Sequence, residues 1–317
     1  MGKDKLRKFA ENLTFDNMVQ PAFDEMFRRD HPLKGRWGAD FFGRIRIGNS
    51  TDNTSSPGNA MGEVSGADNG VSNIPLVLEL GCGKGEYTVG LGAANQAQQD
   101  TTNKVQQDTT NKVQQGGGGK NIHGKNIHGK NFHDISSPGK NVLDTTSSGK
   151  NFLGIDIKGA RMWRGAKTAG AMGLANVGFL RTRIEFINSF FAPGEVSEIW
   201  ITFPDPQLKK GREKKRLTSP VFLAYYARFL ASDGVIHLKT DSRELHDYTL
   251  RVIEANSLPL HAASADVYND GDLQAANPEL TTVQTTYERR FLAEGKPITY
   301  LRFGLGDRTQ FEMVYDE

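Results

Sequence analysis

Residues 76–86 read Leu-Val-Leu-Glu-Leu-Gly-Cys-Gly-Lys-Gly-Glu, a stretch that constrains the whole chain to a strand, a tight turn and a helix in succession. The apolar run from Pro75 to Leu80 is short, continuous and followed by turn residues, as in a parallel strand covered on both faces. Gly81, Gly83 and Gly85 allow the backbone to turn sharply and to approach a ligand more closely than side chains permit. A helix predicted from about Glu86 to Ala94 aims its free N-terminal amides across the strand end. Such a unit forms the ligand crevice at the carboxyl edge of an open α/β sheet.

Spacing narrows the ligand. A dinucleotide fingerprint reads G-x-G-x-x-G, whereas here the glycines alternate and an acid, Glu79, sits inside the strand end. An acid that close repels a pyrophosphate but suits the cationic, hydroxyl-rich S-adenosylmethionine. The pattern resembles the first motif of the class I methyltransferases; on this stretch alone a dehydrogenase-like turn is the alternative.

The chain has 317 residues, 37% of them hydrophobic, enough for a sizeable core. A net charge of +2 is too small to argue for a nucleic-acid partner, so only local clustering can. The single cysteine, Cys82, excludes an internal disulfide and fits a reducing compartment. Lying in the glycine loop, it reads as a small spacer rather than an activated thiol. The first residues lack the apolar core of a secretory signal and no stretch reaches the length of a membrane span, so a cytoplasmic location with no membrane partner is expected.

Residues 1–48 form a basic and aromatic N-terminal extension, with Lys3, Lys5, Arg7, Lys8, Arg28, Arg29, Lys34 and Arg36 interleaved with Phe9, Phe15, Phe23 and Phe27. The phenylalanines are expected to pack on the sheet while the cations face outward, toward solvent or phosphates. Residues 49–73 are a flexible linker of small polar residues, and 74–317 a single domain. That domain is interrupted at about 95–149 by a low-complexity insert. Gln98–Val105 recurs verbatim as residues 106–113, and Gly-Lys-Asn recurs at 119, 124, 129, 139 and 149. The insert reads as duplicated copies of its own downstream flank, too poor in large apolar residues to offset its ordering entropy, and disorder is predicted. His123, His128 and His133 recur within it but are not expected to converge on a metal.

Strand and helix alternate from residue 151 onward. Strands are predicted at Phe152–Ile157, Asn176–Arg183, Val196–Phe203, Val235–Leu238, Leu258–Asp266 and Ile298–Phe303. Helices are predicted at Gly159–Gly173, Glu185–Phe191, Ser219–Ala231 and Ser242–Asn256, with Ser242 a candidate N-cap. The alternation predicts an α/β fold, a mainly parallel sheet with helices on both faces. Glu79, Asp156, Asp205 and Asp241 all fall at strand carboxyl ends, where such a sheet binds ligands.

Asp156, one helix after the glycine loop once the insert is discounted, is positioned for ribose hydroxyls, or alternatively caps the helix at Gly159. Asp205 stands between Pro204 and Pro206, which restrict the backbone and remove two amide donors. Gln207–Arg216 follows with six cations in a short loop, read at the mouth of a crevice as a phosphate-binding lip.

Five stretches together resemble the bacterial tRNA (guanine-N(7))-methyltransferases: LVLELGCGKGEYT, FLGIDIKGARMWRGAK, IWITFPDPQLKK with a following KKR, HLKTDS, and TTYERRF. The resemblance covers nearly all of residues 74–94 and 151–305, more loosely the N-terminal 48, and leaves out both low-complexity segments. It implies a Rossmann-like class I methyltransferase domain with a seven-stranded sheet, S-adenosylmethionine as cofactor and tRNA as partner, yielding 7-methylguanosine in the variable loop. It further implies cofactor contacts from Glu79, Gly81, Gly83, Gly85, Asp156 and Asp205, with Asp205 also the catalytic-site acid. Lys209, Asp241 and Thr285, Thr286, Tyr287 and Glu288 would meet the tRNA. Where many members carry an aspartate toward the adenine amine this chain has Arg183, which leaves adenine to the backbone near Thr182–Ile184 or to Glu185.

Guanine N7 has a free lone pair, so alignment rather than proton abstraction is the expected work of the site. A monomer or weak homodimer without metal is expected. The alternatives are a methyltransferase for another substrate, against which the basic loop argues, and an RNA-binding module without activity, against which the intact glycine loop and Asp205 argue.

Overall fold

The computed structural model describes residues 3–22, 30–49, 74–115 and 149–316. Strands β1 (Met18–Val19), β2 (Leu76–Leu80), β3 (Asn151–Asp156), β4 (Val177–Arg181), β5 (Val196–Thr202), β6 (Leu230–Thr240), β7 (Leu260–Ser264) and β8 (Thr299–Gly304) form one sheet of order β1-β4-β3-β2-β5-β6-β8-β7. The described α-helices are α1 (Lys3–Asn12), α2 (Gly43–Asn49), α3 (Glu86–Gln115), α4 (Gly159–Ala171), α5 (Pro220–Tyr226), α6 (Arg243–Ala255), α7 (Gly271–Ala276), α8 (Glu279–Thr282) and α9 (Thr286–Ala293).

Strands β1 to β6 pair in parallel, while β8 runs antiparallel to both β6 and β7. The chain adds β3 and β4 on one side of β2, then crosses to place β5 on the other. This reversal makes the carboxyl end of β2 a topological switch point, the place where open α/β sheets bind ligands.

Alternation along β2 shows why its run is apolar throughout. Leu76, Leu78 and Leu80 join a buried cluster with Trp37, Phe41 and Ile199, and Val77 joins a second with Tyr87, Phe152 and Phe179. Both faces are covered, as a parallel sheet requires.

Three expectations about the elements change. The sheet has eight strands, because Met18 and Val19 pair with Phe179 and Leu180 at its edge. Helix α5 stops at Tyr226 rather than near Ala231: Leu230 pairs with Val196, and the Val196 amide donates to the Phe229 carbonyl at 3.2 Å. Phe229 and Leu230 suit either period, and the sheet captures them. The helix opened at Glu86 continues through the first repeat and the second to Gln115, where disorder was predicted from residue 95. Propagating an existing helix needs no new nucleus, and Thr101 and Thr102 hydroxyls donate back to the Ala97 and Gln98 carbonyls at 2.9 and 3.0 Å. Residues 116–148, with the three insert histidines, lie outside the described residues, as do 50–73 of the linker.

The N-terminal anchors also differ. Trp37, Phe41 and Phe42 are fully buried, and the Trp37 indole donates to the Phe190 carbonyl at 2.8 Å. Phe9 and Phe15 are only half-buried, while Phe23 and Phe27 lie outside the described residues. Arg7 and Lys8 pair with Asp4, Lys34 with Asp30 and Arg36 with Asp40, so local acids neutralise much of the basic arm. The chain divides into two compact units, Met1–Gln96 with Gly149–Glu317, and Ala97–Ser148. No described helix is long and apolar enough to cross a membrane.

Candidate active site at the carboxyl edge of the sheet

Glu79 ties three elements together. Its Oε2 accepts from the Thr88 amide at 2.8 Å and from the Thr88 hydroxyl, and its Oε1 accepts from the Thr202 hydroxyl at 2.6 Å. The end of β2 is thereby joined to the first turn of α3 and the end of β5. Burial pushes the carboxyl up to about 7, although the hydrogen bonds from Thr202 and Thr88 oppose the rise. With Gly81, Gly83, Asp156, Thr285 and Tyr287 it lines a cavity of about 200 Å³.

The glycines divide in role. Gly81 and Gly83 have φ of 77° and 57°, and a Cβ at Gly81 would meet nothing within 4 Å, so its space is open to a ligand. A Cβ at Gly85 would come within 2.5 Å of the Phe179 ring and 3.2 Å of Gly165 Cα. Gly85 therefore serves helix–strand packing, not the ligand approach expected of all three. Asp156 Oδ2 accepts from the Gly83 amide at 3.0 Å and Oδ1 from the Lys158 amide at 2.7 Å. The cap position of α4 is Lys158, so Asp156 is not the helix N-cap. Burial, with Glu79 and Asp156 adding, pushes the Cys82 thiol well above its ordinary value, which keeps it protonated and suits a spacer.

A larger cavity of about 600 Å³ shares Gly81 and Asp156 and adds Arg183, Glu185, Lys214 and Lys215 to its lining. Arg183 lies 3.6 Å from Glu185 and stacks 5.9 Å from the Phe186 ring, so the cation faces a local acid.

The turn after β5 is strained. Phe203 and Gln207, on either side of Pro204-Asp205-Pro206, have φ of 47° and 48°, left-handed conformations in residues that carry side chains. Each costs about 1–3 kcal/mol and persists only where its surroundings hold it. The Phe203 amide donates to the Lys239 carbonyl at 2.8 Å, and Asp205 Oδ1 accepts from the Gln207 amide at 3.0 Å. Asp205 is exposed at the rim; neither it nor Lys209 lines the two cavities, although Gln207 does. In the basic loop Lys209, Lys210, Arg212, Lys214 and Lys215 are exposed, but Arg216 is 1% exposed and turned inward. It is not the phosphate contact that the charge run implied.

The segment Thr285–Glu288 reaches the crevice only in part. Thr285 caps α9 by accepting from the Glu288 amide at 3.1 Å. The Thr286 amide and hydroxyl both donate to Glu86 at 2.6 Å, and Tyr287 is 53% exposed at the cavity edge. Glu288 is fully buried against Lys239, so its side chain cannot meet a tRNA as the resemblance implied. Asp241 is half-buried, its carboxyl pushed up by burial, and lines neither cavity.

Arg161, which lines both cavities, Glu86 and Lys239 were given no site role from the sequence, and Arg216 only that of one cation of the basic run. Lys239 carried a signal: it directly extends the strand read at Val235–Leu238, and a lysine drawn into a sheet covered on both faces needs a buried partner. Among the described residues no cluster of three or more potential metal ligands occurs.

A family model described as "Putative methyltransferase" matches residues 139–301. The tRNA (guanine-N(7)-)-methyltransferase of Christiangramia forsetii is 39% identical over 95% of this chain and 97% of its own length. That of Porphyromonas gingivalis is 38% identical over 93% and 86%. The solved 16S rRNA methyltransferase KamB is 14% identical, with a TM-score of 0.43 over 73% of this chain and 88% of that one. Identity of this extent along almost the whole length places the chain: it belongs to the tRNA (guanine-N(7)-)-methyltransferase family.

Proposed function

We propose that this chain methylates N7 of a guanine in the variable loop of tRNA, using S-adenosylmethionine as donor. One observation carries the reading beyond family membership: the crevice bounded by Glu79, Gly81 and Asp156 continues into a cavity lined by Lys214 and Lys215 of the exposed basic loop. A cation-binding pocket and a phosphate-binding lip thus share one opening.

The residues present fit the donor. Gly81 leaves open space over the strand end, Asp156 offers carboxylate oxygens to ribose hydroxyls, and the acids Glu79 and Asp156 favour a positive charge. Arg183 and Glu185 border the part of the cavity suited to adenine, with Glu185 the acceptor for its exocyclic amine. When bound, the donor supplies a methyl group on a positively charged sulfur.

The chain's own work is alignment. Guanine N7 needs no base, so Asp205 accepts from guanine N1–H and the exocyclic amine, orienting the ring and stabilising the charge that develops on it. Tyr287, exposed beside Thr285, offers a face for a base lifted from its stack. Lys209, Lys210, Arg212, Lys214 and Lys215 hold phosphates and bring the tRNA into register.

The test is transfer of labelled methyl from S-adenosylmethionine to unmodified tRNA, with the product nucleoside identified by mass. 7-Methylguanosine from the wild type, with turnover reduced by about 10²–10³ in Asp205→Ala, is the expected result. Another methylated nucleoside, or an Asp205→Ala protein of wild-type turnover, refutes the assignment.

A further inference from the structure

Arg216 ends a run of cations, yet it is the one that does not face solvent. Its Nε donates to the Pro206 carbonyl at 3.0 Å and one terminal nitrogen to the Gln207 carbonyl at 3.4 Å. These carbonyls directly follow Asp205, within the turn whose flanking residues, Phe203 and Gln207, are both left-handed. The other side of the guanidinium is met by Asp316: one terminal nitrogen donates to Oδ1 at 3.0 Å and the second to Oδ2, a bidentate pair. Asp316 is itself fixed from a second direction by Arg251, 2.7 Å from the same Oδ1. The guanidinium plane lies over the buried Tyr248 ring at 4.2 Å. Four of the five N–H donors of this cation are taken up within the fold and the side chain is 1% exposed, so it is not open to a phosphate.

We infer that Arg216 is a positioning residue for methyl transfer: clamped by Asp316 and Tyr248, it holds the Pro204–Gln207 turn in its strained form and so sets where the Asp205 carboxylate stands. The clamp depends on a residue a hundred positions away, at the far end of the described chain. Hydrogen bonds from Arg216, outweighing the effect of partial burial, keep the Asp316 carboxyl below its ordinary range and therefore charged at neutral pH. The choice of arginine follows from the geometry: two carbonyls on one edge and a carboxylate on the other match a planar fork, and a lysine ammonium cannot span them. The inference rests on the role proposed above for Asp205.

The experiment measures steady-state methyl transfer to unmodified tRNA by wild type, Asp316→Ala, Asp316→Glu, Arg216→Lys and Asp205→Ala. Asp316 is a third exposed, so its removal leaves water a path to the guanidinium, and Asp316→Ala is read only at temperatures below its own unfolding transition. Thermal unfolding and the KM for tRNA are followed in parallel. The clamp predicts that Asp316→Ala lowers kcat by about 10- to 100-fold while the KM for tRNA stays within about twofold, because loss of alignment acts on the reacting geometry. Asp316→Glu, which keeps the charge, restores most of the loss. A wild-type kcat in Asp316→Ala overturns the inference. So does a lower KM for tRNA with a steeper salt dependence, the mark of an arginine released to bind phosphate. A wild-type Asp205→Ala removes the role given to Asp205 and with it the clamp's route to the chemistry, whereas a slow Asp205→Ala beside a wild-type Asp316→Ala removes the clamp alone.

Discussion

Lys239 Nζ lies 2.6 Å from Glu288 Oε1, with both side chains completely buried. The ammonium also donates to the Leu280 carbonyl at 2.5 Å and sits 5.1 Å from the centre of the Tyr87 ring, while the Tyr268 hydroxyl donates to Glu288 at 2.8 Å. Burial pulls Lys239 below the ordinary lysine value, and Glu288 beside it acts in the opposite direction. The pair links the end of β6 to α9, whose N-cap Thr285 and neighbour Tyr287 edge the smaller cavity. It therefore holds the Thr285–Tyr287 side of the crevice from beneath.

Breaking that pair leaves one charge buried alone, which costs about 3–5 kcal/mol. Glu288→Gln and Lys239→Met should each lower stability to urea by that order. The double variant Lys239→Met/Glu288→Leu should regain most of the stability, since no unpaired charge remains. Its methyl transfer should stay impaired, because Tyr268 and the Leu280 carbonyl lose their partners. Equal stability losses that simply add in the double variant would falsify the pairing argument.

Glu79 makes stability and ligand binding depend on pH. Its carboxyl is raised from 4.5 to about 7 in the fold, so the folded state holds the proton more tightly than the unfolded one. The contribution is complete below about 4.5 and is lost as pH rises toward about 7, a change on the order of 3 kcal/mol. Glu79→Gln should flatten this dependence in denaturant titrations between those values. A positively charged ligand favours the ionised carboxylate, so S-adenosylmethionine affinity in the wild type should rise as pH passes through about 7 and change little in the variant.

The glycines should separate folding from binding. Gly85→Ala meets both a φ of 73° and the Phe179 ring, and should cost more than about 2 kcal/mol in thermal or urea unfolding. Gly81→Ala has a φ of 77° but no neighbour in the fold, so its stability cost should stay near 1 kcal/mol. Cofactor binding, followed by calorimetry, should fall at least about tenfold in Gly81→Ala, where the new methyl enters the ligand's space.

Exposed lysines of the basic loop should act through charge alone. Lys209→Ala and Lys214→Ala should each weaken tRNA binding at low salt and reduce the log–log salt slope by about 0.7–0.9. Saturating tRNA should restore kcat. A slope equal to that of the wild type would remove the residue from the phosphate-contact set.

Elements whose signal is local were legible before any coordinates. The run Leu76–Leu80, the glycine turn and Ser242, whose hydroxyl accepts from the Leu245 amide at 3.2 Å, stand where spacing and capping placed them. Where two periods fit the same residues, as at Phe229 and Leu230, the reading went to the helix and the sheet took them. The repeats misled in a different way: their composition cannot bury a core, yet a helix already under way at Glu86 carries through them to Gln115.

Residue types and spacing established the α/β alternation, the acid-and-glycine crevice and the family to which the chain belongs. Those are properties of neighbours in the chain, where a strand end, its turn and the helix that follows are written within a dozen positions. Whether a charge faces solvent or the interior is not written there. Arg216 and Lys215 are adjacent cations of one run, and Tyr287 and Glu288 are adjacent in one short motif. The fold buries Arg216 and Glu288 and leaves Lys215 and Tyr287 exposed, because Asp316, Lys239 and Tyr268 arrive from other segments to satisfy the buried pair. A buried charge is stable only with such partners in place, and only the folded chain brings those partners together.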